Sequence, residues 1–146
     1  MNAPSPPPAF VDDYLLYLLA RASHQVSRQF HKVVREAGLQ VPEWRVLATL
    51  ADGPVTVGEL ADVTLMQQPT LTKILDRMTA QGLVTRRRHD GDGRKVLVKS
   101  TDAGQRTVAR LLSAARRHEV DVLAGYDHGE VQALKQALKR LIAATD

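Results

Sequence analysis

Residues 59–104 read ELADVTLMQQPTLTKILDRMTAQGLVTRRRHDGDGRKVLVKSTDAG, and they contain the clearest structural signals of the chain. Between Pro69 and Gly82 its apolar residues recur at helical spacing, at Leu71, Ile74, Leu75 and Met78. Pro69 fits the first turn of this helix, and Gly82 is a suitable residue to end it. A shorter helix precedes it and begins at the capping-box pattern of Thr56 and Glu59. Two helices joined by a tight turn predict a helix-turn-helix.

A basic hairpin is predicted directly after the second of these helices. Residues 83–88 and 95–99 alternate as strands do, and the sequence HDGDG at 89–93 contains two Asp-Gly steps that favour a hairpin turn. Residues 86–99 carry six basic and two acidic side chains, a net charge equal to the +4 of the whole chain. This concentration of charge indicates an element that faces a polyanion. A helix-turn-helix followed by such a hairpin predicts a winged helix.

Helical patterns extend on both sides of this unit. One runs from Val11 to Ala37, a second from Thr101 to Leu123, and a third follows the capping box of Asp127 and Glu130. The start of the first pattern and a seam over residues 131–142 are more apolar than one buried stripe requires, which indicates a partner surface. We therefore expect a mainly α protein with a small β-hairpin wing.

The residue types exclude several classes of protein. Without cysteine there is no disulfide, zinc–thiolate site or thiol redox sensor. No apolar run approaches the roughly 20 residues that span a bilayer, and residues 1–10, which include four prolines, do not resemble an export signal. We expect a disordered lead-in at 1–10 and a cytoplasmic protein. Because no glycine-rich phosphate loop, nucleophile elbow or metal-ligand cluster is present, we expect neither an enzyme nor a cofactor.

Several short pieces of residues 59–104 resemble, in order and spacing, the MarR (multiple antibiotic resistance regulator) family of bacterial transcription regulators. These pieces are Glu59-Leu60-Ala61, Leu71-Thr72-Lys73, Leu75-Asp76-Arg77-Met78, Gly82-Leu83-Val84, Arg86-Arg87, Asp92-Gly93-Arg94 and Thr101-Asp102-Ala103-Gly104. The resemblance implies a homodimer in which the helix at 11–37, the helix at 101–123 and the helix after Asp127 interlock, with winged domains that meet successive major grooves of double-stranded DNA. It implies a helical dimerisation region at 11–40 and 101–146, and a winged helix-turn-helix DNA-binding domain at 41–100. A pseudo-palindromic operator would match this symmetry.

Candidate DNA contacts on the second helix of the motif lie at its amino end, where such helices reach base edges. Glutamine can bind adenine, threonine can meet a thymine methyl, and lysine can reach guanine or phosphate. The candidates are Gln67, Gln68, Thr70, Thr72 and Lys73, with Arg77 one turn further on for a phosphate. Solvated capping is the alternative role for the two glutamines. Relatives often carry Ser or Asp where Gln67-Gln68-Pro69 stands here, so base preference does not transfer.

Candidate contacts in the wing centre on Asp92 and Arg94, which match the Asp-x-Arg motif of the family. The resemblance implies that Arg94 enters the minor groove, where narrow A·T tracts attract a guanidinium. We expect Asp92 to pair with a nearby arginine and hold the loop in shape; an ordinary turn aspartate beside an exposed arginine is the alternative. Because strand neighbours alternate sides, either Arg86 and Arg88 together or Arg87 alone would face DNA. Lys95 is a further candidate contact.

Members of the family commonly repress transcription until a small ligand, often phenolic or anionic, enters a cleft between the dimer helices and the winged domain. The candidate effector-binding residues are His24, His31, Trp44 and Arg45. Trp44 could instead belong to the core, and Arg45 could be a plain surface residue. His24 and His31 share a helical face and could bind a metal together with His118 and Glu119, but we expect no metal.

The resulting hypothesis is a sequence-specific regulator, a repressor that a small-molecule effector releases from DNA. The alternative is a winged helix that binds another protein and has no affinity for specific DNA. The basic wing argues against that alternative, because a protein-binding wing gains nothing from concentrated positive charge.

Overall fold

We describe the protein from a computed structural model, which covers residues 9–145. Most of the predicted lead-in at 1–10 lies outside the described residues, and Phe10 already belongs to the first helix. The elements in chain order are α1 Phe10–Asp13, α2 Leu15–Glu36, α3 Val41–Thr49, a 3-10 turn Leu50–Asp52, β1 Val55–Thr56, α4 Val57–Thr64, α5 Gln68–Ala80, β2 Val84–Arg88, β3 Val96–Ser100, α6 Asp102–Val122 and α7 His128–Ala143. The mainly α class with a small sheet is thus confirmed.

The single helix predicted from Val11 to Ala37 is wrong at its start. Tyr14 adopts an extended conformation and separates α1 from α2, and its ring stacks on Phe10 with centroids 4.8 Å apart. The apolar residues keep helical spacing across this break, because one extended residue leaves their spacing in the sequence unchanged. The predicted end is correct, since α2 ends at Glu36 and Gly38 follows with φ of +83°.

The helix-turn-helix is confirmed in α4 and α5. The capping box starts α4, because the Glu59 amide donates to Thr56 Oγ1 at 3.2 Å and the Thr56 amide donates to Glu59 Oε2 at 2.8 Å. Leu65 ends α4 in the left-handed conformation, with φ of +58°. This reverses the chain so that α5 begins after Gln67, with Pro69 in its first turn as predicted.

The wing belongs to a three-stranded antiparallel sheet of order β1-β3-β2, one strand more than we predicted. β1 is only two residues long, too short for its side-chain alternation to be visible in the sequence. Val55 pairs with Val98, which in turn lies opposite Arg86 on β2. β1 leads directly into α4, so the sheet and the helix-turn-helix share one anchoring strand.

One hydrophobic core holds the winged part of the chain. Its fully buried side chains come from α2, α3, α4, α5 and the wing: Val34, Val46, Leu47, Leu60, Leu71, Leu75, Met78, Val84 and Val98. The start of α6 packs against the loop before β2 at Gly104, where an added Cβ would lie 2.3 Å from the Leu83 carbonyl oxygen. Only glycine permits that approach. Thr101 caps α6 as predicted, since its Oγ1 accepts from the Gly104 amide at 3.1 Å.

The chain forms two compact units that divide after Leu111. The second unit contains the later part of α6 and all of α7, and it has no buried residue among those described. Asp127 and Glu130 form the predicted capping box of α7, with backbone-to-carboxylate bonds of 2.8 and 2.9 Å. The large apolar side chains that this second unit exposes are Val120, Tyr126, Leu134, Leu141 and Ile142. The predicted domain boundaries, with a DNA-binding domain at 41–100 between two parts of a dimerisation region, stay a prediction.

Leu65 offers a test of the turn between α4 and α5. A left-handed residue with a Cβ costs about 1–2 kcal/mol, and Leu65 is 87% exposed, so its side chain contributes little burial in return. We expect Leu65→Gly to raise the free energy of unfolding by about 0.5–1 kcal/mol, after the entropy of glycine is deducted. Urea denaturation at one fixed protein concentration measures this change. Leu65→Ala is the control, because it keeps the Cβ; equal stability of the two variants would contradict the prediction.

Candidate nucleic-acid interface

The exposed face of α5 presents the predicted base-reading residues. Leu71, Ile74, Leu75 and Met78 are buried, which leaves the opposite face outward. That face carries Gln67, Gln68, Thr70, Thr72 and Lys73. Gln67 is the N-cap of α5, and its side chain makes no capping hydrogen bond. The amino end of α5 therefore offers backbone N–H groups and exposed amide side chains together, which suits phosphate and base edges.

The wing and the two helices of the motif enclose a cleft of about 410 Å³. It is lined at the start of α4 by Thr56, Val57 and Gly58, on α5 by Gln68, Thr72 and Leu75, and in and beside the wing by Arg86, Arg94, Lys95 and Val96. Three cationic side chains and the exposed amide of Gln68 thus share one concave surface. The structure brings five of the sequence-predicted contact residues to this one place.

The three consecutive arginines of β2 differ in their partners. The Arg86 guanidinium donates to Asp76 Oδ1 of α5 at 2.7 Å, and Arg87 pairs with Asp90 at 3.2 Å. Arg88 is exposed at the end of β2, opposite Val96. Alternation puts Arg86 and Arg88 on one side of the strand, the side of α5 and the cleft. This placement favours the pair over Arg87 alone, although neither alternative is tested.

Arg77 has a structural partner that the sequence did not reveal. Its guanidinium donates to Gln40 Oε1 at 2.8 Å and to Glu43 Oε1 at 3.4 Å. Glu43 is only 3% exposed, and a buried carboxylate without a partner is costly. Arg77 therefore ties α5 to the start of α3. The phosphate contact proposed for Arg77 from its helical face stays a prediction, and it would have to compete with this pair.

At the tip of the wing Asp92 pairs with Arg94, and its role in holding the loop for DNA binding stays a prediction. Its Oδ1 accepts from the backbone N of Arg94 at 3.1 Å and from the guanidinium Nε at 3.3 Å. These bonds stabilise the ionised carboxylate and hold the pKa of Asp92 below its ordinary value. The Arg94 side chain remains 93% exposed, so one edge of the guanidinium is fixed while the rest stays open to a ligand.

A second side chain of the wing tip was missed by sequence reasoning. The Nδ1 atom of His89 accepts from the Gly91 amide at 2.9 Å and from the Asp92 amide at 3.2 Å. Asparagine and aspartate commonly accept such bonds from amides two and three residues ahead, and histidine is an unusual residue type for this role. The available signal was the position of His89, immediately before the two Asp-Gly steps.

The candidate effector residues lie along α2 and at the start of α3. Trp44 packs edge-on against Phe30, with ring centroids 5.2 Å apart, as its alternative role in the core requires. Burial lowers the pKa of His31, and the positive charges of Arg45 and Arg35 lower it further. His31 and Arg45 are thus close enough to interact, while His24 and Arg45 are exposed. Effector binding by these four residues stays a prediction.

Among residues 9–145, no three histidine, aspartate or glutamate side chains are grouped so that they could hold a metal ion. No helix within these residues has the length and apolar character needed to cross a bilayer.

Known proteins resemble this chain in sequence and in fold. Residues 37–95 match the family model described as MarR family. A MarR family regulator from Silicibacter pomeroyi DSS-3, SPO1453, superposes with a TM-score of 0.84 at 42% identity, over 95% of this chain and all of that one. The homoprotocatechuate degradative operon repressor of Escherichia coli is 29% identical over 132 residues, 90% of this chain and 89% of its own length.

A relative solved on DNA has the same fold. CouR, a transcriptional repressor bound to a 23-mer DNA duplex, superposes with a TM-score of 0.77 at 28% identity, over 90% of this chain and 94% of that chain. The predicted resemblance is therefore confirmed over nearly the whole length. With its winged helix-turn-helix, its cationic cleft and these relatives, the chain belongs to the MarR family, whose members are transcription regulators and not enzymes.

Proposed function

We propose that this regulator is a homodimeric repressor that binds a specific double-stranded operator and is released from it by a small-molecule effector. The observation that carries the proposal is the shared cleft, where Gln68 and Thr72 of α5 face Arg86, Arg94 and Lys95 at the wing. Base-reading groups and phosphate-binding groups on one surface are what sequence-specific duplex binding needs. A regulator acting on the bacterial chromosome would work in the cytoplasm.

In this proposal α5 enters the major groove by its amino end. Gln67, Gln68 and Thr70 would contact base edges, and Lys73 would reach a guanine or a phosphate. The wing would follow the adjacent backbone and place Arg94 in the minor groove, where its exposed guanidinium meets the negative potential of a narrow A·T tract. The relative CouR is bound to a 23-mer DNA duplex, which supports double-stranded DNA as the partner of this chain.

A homodimer is supported by the apolar side chains that the two units expose. Phe10, Leu15 and Leu16 in the first unit are more than half exposed, and Tyr126 and Ile142 in the second unit are as well. Because the second unit has no buried residue of its own among those described, a second copy of the chain would supply the missing core. Two-fold symmetry then calls for a pseudo-palindrome with half-sites about 10 base pairs apart.

The effector is proposed to be a phenolic or anionic aromatic compound. The relative in Escherichia coli is described as a repressor of a homoprotocatechuate degradative operon, which supports an aromatic acid as the class of ligand. Arg45 would pair with the carboxylate, and His31, whose lowered pKa keeps it neutral near pH 7, would bind a hydroxyl. His24 and Trp44 would complete the site.

Selection of bound sequences from random duplex DNA tests the function directly. A repeated pseudo-palindrome and a steep fall of affinity with salt are expected, because each neutralised phosphate releases counterions. Binding without sequence preference, or no binding at all, would favour the protein-interaction alternative. Release of the selected duplex by a panel of phenolic acids then tests the effector.

The dimer can be tested on α7. Leu134→Arg places a charge among the exposed apolar residues of that helix, so we expect sedimentation velocity to show dissociation or aggregation. Gln136→Arg adds the same charge at an exposed position elsewhere on α7 and should leave the dimer intact. A monomeric wild type, or equal behaviour of the two variants, would contradict the proposal.

Base reading can be tested at the amino end of α5. Gln68→Ala and Thr70→Ala should each relax the sequence preference, at a cost of about 1–3 kcal/mol on the selected site, with little change in salt dependence. Gln81→Ala at the other end of α5 is the matched control. Quantitative binding to the selected duplex and to single-base variants measures the effect. Unchanged preference in both test variants would mean that another face of α5 reads DNA.

The wing can be tested at two aspartates of equal charge. Asp92→Ala should weaken operator binding although it removes a negative charge, because it frees the backbone and guanidinium of Arg94. Asp90→Ala makes the same charge change and releases only Arg87, so it should bind as well as the wild type or better. Affinities at several salt concentrations compare them. Equal tightening by both would show that Asp92 acts only by repulsion.

A further inference from the structure

The loop at the wing tip contains a histidine whose bonds require the neutral form. His89 and Lys95 close the loop through a backbone bond of 2.8 Å, and the Lys95 amide donates to the Asp92 carbonyl at 3.0 Å. Inside this frame, Nδ1 of His89 accepts from the amides of Gly91 and Asp92. An imidazole nitrogen that accepts two hydrogen bonds carries no proton, so the single ring proton of His89 must be on Nε2.

These bonds connect His89 to Arg94 through a single residue. The backbone of Asp92 is held by the imidazole, and the carboxylate of Asp92 holds both the backbone and the Nε of Arg94. His89 therefore determines where Asp92 lies, and Asp92 determines where the guanidinium lies. The imidazole is itself half-buried, whereas the guanidinium is open to solvent.

We propose that His89 is a positioning residue for DNA binding, and that protonation of its Nδ1 releases the wing tip and weakens the grip of Arg94 on the operator. The inference rests on the proposed contact of the wing with DNA. On protonation, Nδ1 becomes a donor that faces two other donors, the amides of Gly91 and Asp92, so both bonds are lost. The wing tip then keeps its backbone bonds, the bonds of the Asp92 carboxylate to Arg94 and the exposed pair of Arg87 and Asp90.

The two carboxylates nearest to His89 keep their charge in mildly acidic solution. Glu59 at the start of α4 and Asp92 in the loop are close enough to His89 to interact with it electrostatically. Hydrogen bonds from Thr56 lower the pKa of Glu59, and bonds from Arg94 lower that of Asp92. Both carboxylates therefore stay ionised over the range of about pH 5.5 to 8, in which histidines ordinarily titrate. A change at the wing tip in this range therefore does not come from Glu59 or Asp92.

The sign of the effect separates this mechanism from simple electrostatics. Protonating a histidine adds positive charge, and added positive charge ordinarily strengthens binding to the phosphate backbone. Release of the wing tip works in the opposite direction. A loss of operator affinity on acidification is therefore the characteristic result.

The experiment measures affinity for a duplex selected from random DNA, between about pH 5.5 and 8 at fixed ionic strength. Wild type should lose about tenfold in affinity as the pH falls, the scale of one or two net hydrogen bonds. His89→Asn should bind like wild type at the higher pH and lose none of that affinity below it, because an asparagine Oδ1 can accept the same two amides and does not titrate. His89→Ala should be weak at both ends of the range. His128→Asn, which alters an exposed histidine on α7, should keep the wild-type profile.

Two results would overturn the inference: the same loss on acidification in His89→Asn, or wild-type affinity of His89→Ala at the higher pH. Nitrogen-15 NMR of the full chain gives an independent readout, in which Nδ1 of His89 should be unprotonated at the higher pH. The Gly91 and Asp92 amide resonances should shift as it titrates, and a proton on Nδ1 at the higher pH would also overturn the inference. A wild type that binds no duplex at any pH would instead overturn the proposed function, and the NMR measurement would still decide the role of His89.

Discussion

The burial of one face of α5 is the constraint on which the rest of the interface depends. Its four apolar side chains are among the least exposed in the chain, and burying each contributes about 1.5–3 kcal/mol. The helix therefore has one stable orientation about its axis, which turns Gln68, Thr72 and Lys73 outward. Helices α3 and α4 and the sheet supply the other side of that contact, so apolar packing inside the protein positions the polar face of α5.

Ion pairs refine this orientation and also reduce the number of cations that are free for phosphate. Arg77 binds the buried Glu43 of α3, whereas Arg86 binds the exposed Asp76. Exposed pairs contribute about 0–1 kcal/mol and can be exchanged for a phosphate at little cost. Removing the partner of a buried carboxylate is far more expensive, so Arg77 is the less available of the two. The basic composition of the region therefore overstates the number of its cations that are free to bind phosphate.

The sequence predicted those parts of the fold that repeat over many residues or use a known terminal motif. The α5 pattern and the capping boxes at Thr56 and Asp127 are correct, because each depends on local spacing that the fold leaves unchanged. The break at Tyr14 and the strand Val55–Thr56 were missed, because a single extended residue and a two-residue strand leave no periodic signal. Local signals thus describe elements well and their junctions poorly.

The candidate site shows the same limit in its side chains. The pairing of Asp92 with Arg94 was predictable, since both residues belong to one turn and one motif. The pair of Arg77 and Glu43 was not, because 34 residues separate its members and only the packing of α5 on α3 brings them together. His89 lies between these cases, since its bonds are local but its residue type is unusual for the role.

Positioning and charge therefore make separate contributions to the wing. Any arginine near the hairpin tip would attract phosphate, and that attraction does not depend on the base sequence of the DNA. Discrimination requires that the guanidinium of Arg94 enter a groove of particular width, and a side chain that is 93% exposed has many conformations to lose on doing so. The bonds from His89 to Asp92 and from Asp92 to Arg94 restrict part of that freedom before DNA arrives. In the proposed complex, restraint of this kind would lower the entropic cost of specific binding more than that of a loose backbone encounter, so the residues that hold Arg94 would contribute to specificity without touching a base.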